Sequence, residues 1–168
     1  PIKRKFGIVG LRIHQELQDN ICTPLKQIPS PKKQICVSRS FSYPITNLEE
    51  LRQVISYYVL IASKKLRNYN QLTSAITVFA RTNIYCNDFF KGEATAKLDM
   101  PSNDSRIILK TSMTLTKEIF KPYQKFIKAG VIMLNLSNGK YQQKILFNNS
   151  MIIEEVNSEK LNKVIDNI

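Results

Sequence analysis

The sequence has 168 residues, of which 43% are hydrophobic, and its 25 Lys and Arg against 13 Asp and Glu leave a formal net charge of +12. This length fits one ordinary domain with short extensions, and the balance of apolar and charged residues excludes a disordered chain. The positive charge predicts a polyanionic partner, most often nucleic acid and sometimes an anionic membrane surface. Because no run of about 20 apolar residues is present, we expect no insertion into a membrane.

The composition also limits the chemistry that this sequence can carry. His14 is the single histidine and falls in a predicted helix, so we expect neither a catalytic triad nor a histidine-rich metal site. The three cysteines form no CxxC pair, which is typical of a cytoplasmic protein without disulfides or zinc. The carboxylates are scattered, or adjacent and therefore about 100° apart on a helix, which does not favour a magnesium site. We predict a binding module with no catalytic residue, metal or cofactor of its own.

Residues 1–34 carry seven basic and two acidic groups and are predicted to form a helix followed by a linker. Apolar residues recur at helical spacing from Phe6 to Leu17, which predicts a helix over residues 5–20. Three prolines and three lysines in residues 23–34 predict an extended linker, because proline fixes φ and removes a donor. The sequence starts without an initiator Met or a signal peptide, so we expect it to begin inside a longer chain.

A globular domain is predicted over residues 35–136, and it begins with a strand and a helix. Apolar side chains alternate with hydroxyl groups over residues 35–41, as in a strand with one buried face, and Pro44 ends the run. Thr46 or Asn47 can cap the helix that follows, since each has a glutamate three residues later. Apolar residues at spacings of three and four continue this helix to a basic last turn.

The rest of the domain is predicted to contain three more strands and a second helix. Residues 72–81 alternate as a second strand and residues 94–98 as a third. Residues 101–104 are typical of a helix start, and an apolar stripe continues that helix until the next proline. Residues 126–136 form a strongly apolar fourth strand. The order β-α-β-β-α-β predicts an α+β fold, in which a four-stranded antiparallel sheet carries two helices on one face.

Two groups of polar residues are candidate contacts for a phosphate backbone. In the first strand, hydroxyls and a guanidinium beside exposed edge amides can donate to phosphates without reading bases. The sheet face away from the helices is left with hydroxyl, aromatic and basic side chains, which suits the same task. The predicted DNA-binding residues are Ser38, Arg39, Ser40, Thr77, Phe79, Arg81 and Lys97.

The C-terminal tail, residues 137–168, differs in character, because from residue 131 onward acidic and basic groups are equal in number. Leu146 and Phe147 stand side by side in this tail, after a predicted turn at residues 138–139. An apolar pair on a tether is typical of a peptide that docks in a pocket of another protein. The alternative is a strand that folds back on the domain itself.

Four segments together resemble the C-terminal region of the Y-family translesion DNA polymerases, most closely their UmuC group. The segments are KQICVSRSF at 33–41, the helix at 48–67, PSNDSR at 101–106 and KAGV at 128–131. The resemblance covers nearly the whole sequence. It implies that residues 1–22 end a thumb helix, that residues 23–34 are a linker, and that residues 35–136 are the DNA-binding domain called the little finger.

The tail fits the same resemblance. Residues 143–147 match the pattern QxxLF, which is similar to the pentapeptide by which such polymerases bind the sliding clamp, so Gln143, Leu146 and Phe147 are the implied clamp contacts. The implied function is to grip duplex primer–template DNA for an error-prone polymerase during lesion bypass and SOS mutagenesis. A UmuD-like accessory subunit is a further implied partner. The nucleotidyltransferase palm and its Mg²⁺ are expected outside these residues.

Two positions depart from the family pattern, and two other functions stay open. Ser42 stands where these polymerases usually have glycine, and Lys144 where the clamp motif commonly has leucine. One alternative is an RRM-like RNA-binding module with the same order of elements. Its third strand needs paired stacking aromatics, which residues 93–98 lack. The other alternative is a non-catalytic adaptor that tethers a second protein to a clamp.

Overall fold

The computed structural model describes residues 2–24, 31–86, 88–139, 161, 162, 164 and 166. The chain divides into two compact units, Pro1–Pro31 and Lys32–Ile168. The second unit contains the predicted globular domain.

The first unit consists mainly of helix α1, Ile2–Glu16. The helix is broken at Gly7, where φ is 67° and ψ is −163°. A residue with a side chain rarely takes that conformation, so glycine permits the break between two helical segments. The predicted apolar stripe is exposed, with Phe6 at 64%, Val9 at 66% and Ile13 at 54% of their full accessibility. The helix predicted over 5–20 is therefore present, but it lies earlier in the sequence and buries none of its residues.

The second unit contains one sheet and two long helices. Its elements are β1 (Ile35–Ile45), α2 (Leu48–Asn68), β2 (Gln71–Arg81), β3 (Lys91–Ser102), α3 (Ser105–Ile119), β4 (Phe126–Leu134) and β5 (Ser137–Asn138). The four long strands are hydrogen-bonded in the order β1-β4-β2-β3, and every pair is antiparallel. The predicted α+β fold with the order β-α-β-β-α-β is confirmed, and β1 and β3 are the outer strands of its main path.

The core lies between the sheet and the helices. α2 packs on β1, β2 and β4, and α3 packs on β2 and β3, so both helices cover the same face. Ile76 on β2 and Val131 and Met133 on β4 are fully buried in this core together with Leu51 and Ile55 of α2. Full burial of one such side chain contributes about 1.5–3 kcal/mol. The helix-covered face therefore contains the hydrophobic core of the second unit.

Side-chain caps set the starts of both long helices. The Asn47 side-chain oxygen accepts the backbone N–H of Glu49 at 2.9 Å, which confirms one of the two predicted caps of α2. The Asp104 carboxylate accepts the backbone N–H of Arg106 at 2.9 Å and begins α3. Each bond satisfies a donor that the first helical turn leaves free.

Among the described helices, none is both long enough and apolar enough to cross a bilayer.

The outer strands are longer than their local sequence predicts. β1 continues past Pro44 to Ile45, with a shift of register after Ser40, and β3 covers Lys91–Ser102 where only residues 94–98 were predicted. Both strands contain a proline near their ends. An outer strand tolerates proline, because a missing N–H on its free side breaks no ladder hydrogen bond.

The start of the tail is tied to the sheet. Ser137 and Asn138 form β5 and pair with Leu72 and Gln71 at the start of β2. The backbone N–H of Gly139 then donates to the carbonyl oxygen of Asn70 at 2.8 Å. Of the predicted turn at residues 138–139, Asn138 thus ends a short strand and Gly139 lies in a turn, next to the junction between α2 and β2.

A second contact ties the end of the chain to α2. Residues 161, 162, 164 and 166 are helical, and the Arg67 guanidinium donates to both carboxylate oxygens of Asp166, at 2.6 and 2.5 Å. Arg67 also donates to the carbonyl oxygen of Asn103 at 2.9 Å and to the hydroxyl of Ser105 at 3.0 Å. These hydrogen bonds from Arg67 are the main reason that the pKa of Asp166 lies below its ordinary value.

Candidate nucleic-acid interface

The sheet face away from the helices, which we call the open face, carries the polar side chains of all four long strands. Strand alternation selects which residues point to this face, and the cross-strand register places them in rows. The three successive rows are Ser40, Lys128, Arg81 and Lys91; Ser38, Gly130, Phe79 and Glu93; and Cys36, Ile132, Thr77 and Thr95. The first of these is the basic row.

The basic row concentrates positive charge across the sheet. Lys128, Arg81 and Lys91 lie on adjacent strands and are direct register partners. Because neighbouring strands lie about 4.8 Å apart, the three cations occupy roughly 10 Å of the open face. The Nε of Arg81 is buried and has no hydrogen-bond acceptor among the described residues. Like charges this close create a positive potential that favours an anion.

One carboxylate partly neutralises the positive charge of the basic row. Glu93 forms an ion pair with Lys91, and the two side chains are 42% and 50% exposed. An exposed pair of this kind contributes only about 0–1 kcal/mol, so a phosphate can replace it at little cost. The charge of Lys128 and Arg81 is not engaged in any ion pair within the described part of the chain.

Phe79 has a structural task in the middle row. A Cβ placed on Gly130 would lie 2.7 Å from the ring of Phe79 and 2.4 Å from the Cβ of Ser38. The ring therefore covers the glycine, as aromatic residues often do across strands. Phe79 and Ser38 are half-buried, so the Phe79 ring forms an apolar patch next to the basic row.

Thr77 and Lys97 lie outside the basic row. The hydroxyl of Thr77 lies 2.7 Å from that of Thr95, and Thr77 is only 3% exposed. Lys97 is exposed opposite Ala75. Since Ala75 and Arg81 are six residues apart on β2, Lys97 lies roughly 20 Å along the sheet from the basic row. Of the seven predicted DNA-binding residues, Ser40 and Arg81 belong to the basic row itself.

Arg39 lies on the other side of β1. Its register partner is Ala129, which belongs to the helix-covered core, so Arg39 points to the α2 side of the outer strand. There it lines a groove with Phe41 and Tyr57. Ser38 and Ser40, its neighbours in the sequence, lie on the open face. The structure therefore separates Arg39 from the other predicted contacts of its own strand.

Two members of the basic row were absent from the sequence prediction. Lys128 precedes Ala129 and alternates with the apolar residues of β4, so the strand period alone could have assigned it to the open face. Lys91 was missed because β3 was predicted to begin later. Its position in the row also depends on the pairing of β3 with β2, which the local sequence does not reveal.

The predicted clamp contacts Gln143, Leu146 and Phe147 lie outside the described residues. Within the part of the chain that the structure describes, no three His, Cys, Asp or Glu side chains come together as metal ligands. The described surface therefore offers a basic sheet face as its candidate site.

Comparisons with known proteins point to one family. Residues 32–146 match the family described as impB/mucB/samB family C-terminal domain. MucB of Salmonella typhimurium is 34% identical over 99% of this chain and 39% of MucB. UmuC of Salmonella typhimurium strain LT2 is 28% identical over 99% of this chain and 40% of UmuC. The chain thus spans about two fifths of the length of these relatives.

One solved structure is described as a complex of the beta-clamp processivity factor and the little finger domain of PolIV. It is similar to 68% of this chain and 99% of that chain, with 14% sequence identity and a TM-score of 0.49.

Proposed function

Because this chain belongs to the impB/mucB/samB family and carries its C-terminal domain over residues 32–146, we propose that it is the DNA-binding C-terminal region of an error-prone translesion DNA polymerase. The observation that carries this proposal is the basic row Lys128, Arg81 and Lys91 on an open antiparallel sheet. The row grips the phosphate backbone of duplex primer–template DNA during lesion bypass and SOS mutagenesis. Phosphate contacts of this kind supply affinity and carry little base specificity.

The polymerase chemistry belongs to the remaining length of the parent protein. The chain spans about two fifths of its relatives, and we place the nucleotidyltransferase palm and its Mg²⁺ in the other part. On this proposal the chain by itself holds no cofactor and incorporates no nucleotides. The parent works in the cytoplasm, on a sliding clamp and with a UmuD-like accessory subunit.

The second candidate, an RRM-like RNA-binding module, has weaker support. An RRM stacks bases on aromatic side chains of its central strands. Here the open face of β3 presents Lys91, Glu93, Thr95 and Lys97, and Phe79 of β2 is used to cover Gly130. A binding comparison of duplex DNA, single-stranded DNA and structured RNA separates the two candidates, and we expect duplex DNA to be preferred over RNA.

Salt dependence of duplex binding tests the proposal directly. If four to six phosphates are neutralised, the logarithm of the association constant falls with the logarithm of salt concentration with a slope of roughly −4 to −5. Arg81→Gln and Lys128→Gln are each expected to reduce that slope by about one for every DNA sequence. Lys110→Gln, on the exposed side of α3, is the matched control and is expected to leave the slope unchanged. Binding that does not depend on salt would refute the proposal.

The proposed clamp contact has its own test. Leu146→Ala with Phe147→Ala is expected to abolish binding to the sliding clamp, because a docked peptide concentrates its affinity in apolar anchors. The affinity of the isolated contact is expected to be on the order of micromolar, since an extended peptide loses entropy when it docks. Duplex affinity and thermal stability should not change. Early unfolding of this variant, with no clamp binding by the unmodified chain, would mean that the pair packs on its own domain.

A further inference from the structure

A groove of about 400 Å³ lies between the outer strand β1 and helix α2. Its walls are Arg39 and Phe41 from the strand and Gln53, Val54, Tyr57 and Tyr58 from the helix. The groove is shallow and open to solvent, so a ligand there would keep much of its surface in water. The duplex-binding open face uses none of these residues.

The charge of the groove favours an anion. Arg39 is exposed and forms no hydrogen bond or ion pair with any described residue. Tyr58, at the inner wall, is only 4% exposed; its burial raises its phenol pKa, and the nearby Arg39 guanidinium opposes this. The phenol thus stays neutral near pH 7 and leaves the positive charge of Arg39 uncompensated.

The walls also offer a stacking surface. Tyr57 is 59% exposed, and its ring centroid lies 6.1 Å from that of Tyr58. Phe41 and Val54 add half-buried apolar surface, while the exposed Gln53 amide both donates and accepts hydrogen bonds. An aromatic ring beside a guanidinium is how proteins hold single nucleotides, with the base on the ring and the phosphate at the cation.

A single strand, β1, separates the groove from the open face. Along β1, Ser38 and Ser40 point to the open face, and Arg39 between them points to the groove. A DNA strand that leaves the duplex at the Ser40 end of the basic row would therefore meet β1 next. Since β1 is an outer strand of the described sheet, no other described strand lies between the two surfaces.

We propose that this groove binds an unpaired nucleotide of DNA, with the base against Tyr57 and its phosphate at Arg39. The inference rests on the proposed binding of duplex DNA, whose single-stranded extension supplies the nucleotide. The proposed site gives the domain a second contact with DNA, which forms only where a nucleotide is unpaired. An acidic peptide of a protein partner has the same charge, but it does not use the continuity of the groove with the open face.

The test compares a blunt DNA duplex with the same duplex carrying a short single-stranded thymidine extension. The unmodified chain is expected to bind the extended duplex roughly tenfold more tightly, the size of one base–aromatic stack. Tyr57→Ala should remove this preference and leave the affinity for the blunt duplex unchanged, while Tyr57→Phe should retain it. Tyr85→Ala, which removes a 93% exposed tyrosine outside the groove, is the matched control and should retain the preference.

A crosslink identifies the contact independently of any variant. With 5-iodouracil in the extension, irradiation should attach the DNA to Tyr57, as located by mass spectrometry. The inference would be overturned if the Tyr57→Ala variant still preferred the extended duplex, or if the crosslink were confined to residues outside the groove. A groove that binds an acidic peptide would give the first of these results. Loss of salt-dependent binding to the blunt duplex would instead refute the proposed function, so the two failures are distinguishable.

Discussion

The two faces of the sheet are built from alternate residues of the same four strands and have different tasks. On β2, Ile76 and Val78 are fully buried against the helices, while Phe79 and Arg81, which follow them in the strand, lie on the open face. The helix-covered face obtains its stability from burial, and the open face keeps charge in contact with water. Stability and DNA binding are therefore separable by mutation, provided that each substitution affects one face alone.

The largest expected effect is on the helix-covered face. Ile76→Ala removes a fully buried side chain from the central strand β2 and leaves a cavity that close-packed neighbours fill only in part. The free energy of unfolding should fall by about 2–5 kcal/mol. Denaturant unfolding measures the loss, and the salt slope of duplex binding by the folded protein should not change. A changed slope would mean that the two faces are coupled.

Gly130→Ala tests a position on the open face at which a substitution is expected to lower stability. Gly130 is on the open face, but a Cβ there would lie 2.4 Å from the Cβ of Ser38, 2.7 Å from the ring of Phe79 and 2.8 Å from the carbonyl oxygen of Val37. Overpacking of this kind costs about 1–3 kcal/mol. Thermal unfolding should show the loss, although no core residue is changed.

A second substitution locates the cause of that loss. Adding Phe79→Ala to Gly130→Ala removes the ring but leaves the backbone oxygen of Val37, so only part of the lost stability should return. Ser40→Ala, on the same face without such a close approach, is the control and should change stability by less than about 0.5 kcal/mol. Full stability of the Gly130→Ala protein would show that the strands separate easily at this point.

Asp166→Asn should destabilise the protein in a manner that depends on pH. Arg67 hydrogen bonds hold the folded-state pKa of Asp166 below its ordinary value of 3.8, so the pair stabilises the fold fully above that value. At neutral pH the loss should be about 1.5–3 kcal/mol, the usual contribution of hydrogen bonds to a charged group. As pH falls from 3.8 through the lower folded-state pKa, the unmodified protein loses the same stabilisation and the two proteins converge.

Denaturant unfolding at several pH values measures this convergence. Asp99→Asn, which changes an exposed carboxylate on β3, serves as the control and should have little effect on stability. A constant difference between the Asp166→Asn and unmodified proteins down to low pH would contradict an ion-pair origin. The contact involves neither face of the sheet, so the salt slope of DNA binding should stay the same.

The smallest effect is expected at Lys97. This lysine shares the open face but lies roughly 20 Å along the sheet from the basic row. Lys97→Gln should reduce the salt slope of duplex binding by less than Lys128→Gln does, because an isolated cation neutralises phosphate less completely than a cluster. Equal reductions would show that the duplex follows the whole open face and is not centred on the basic row.

Much of this architecture was predictable because local periodicity reflects which side of an element is buried. The alternation of residues 72–81 assigned Ile76 and Arg81 to opposite faces, and the structure confirms that assignment. Asn47 was one of two predicted caps of α2, and its side chain accepts a hydrogen bond from a donor only two residues away. Such features depend on residues a few positions apart, so a short stretch of sequence is enough to predict them.

By itself the sequence determined the order of the long strands and helices of the second unit, the buried stripe of most of them and the excess of positive charge. Only the tertiary structure decided that β4 lies between β1 and β2, and this places Lys128 beside Arg81 and turns Arg39 toward α2. Only the structure joins Arg67 to Asp166, across 99 positions of the chain. The physical reason is that strand pairing and burial depend on the total free energy of contacts between distant segments, which no local window of sequence specifies.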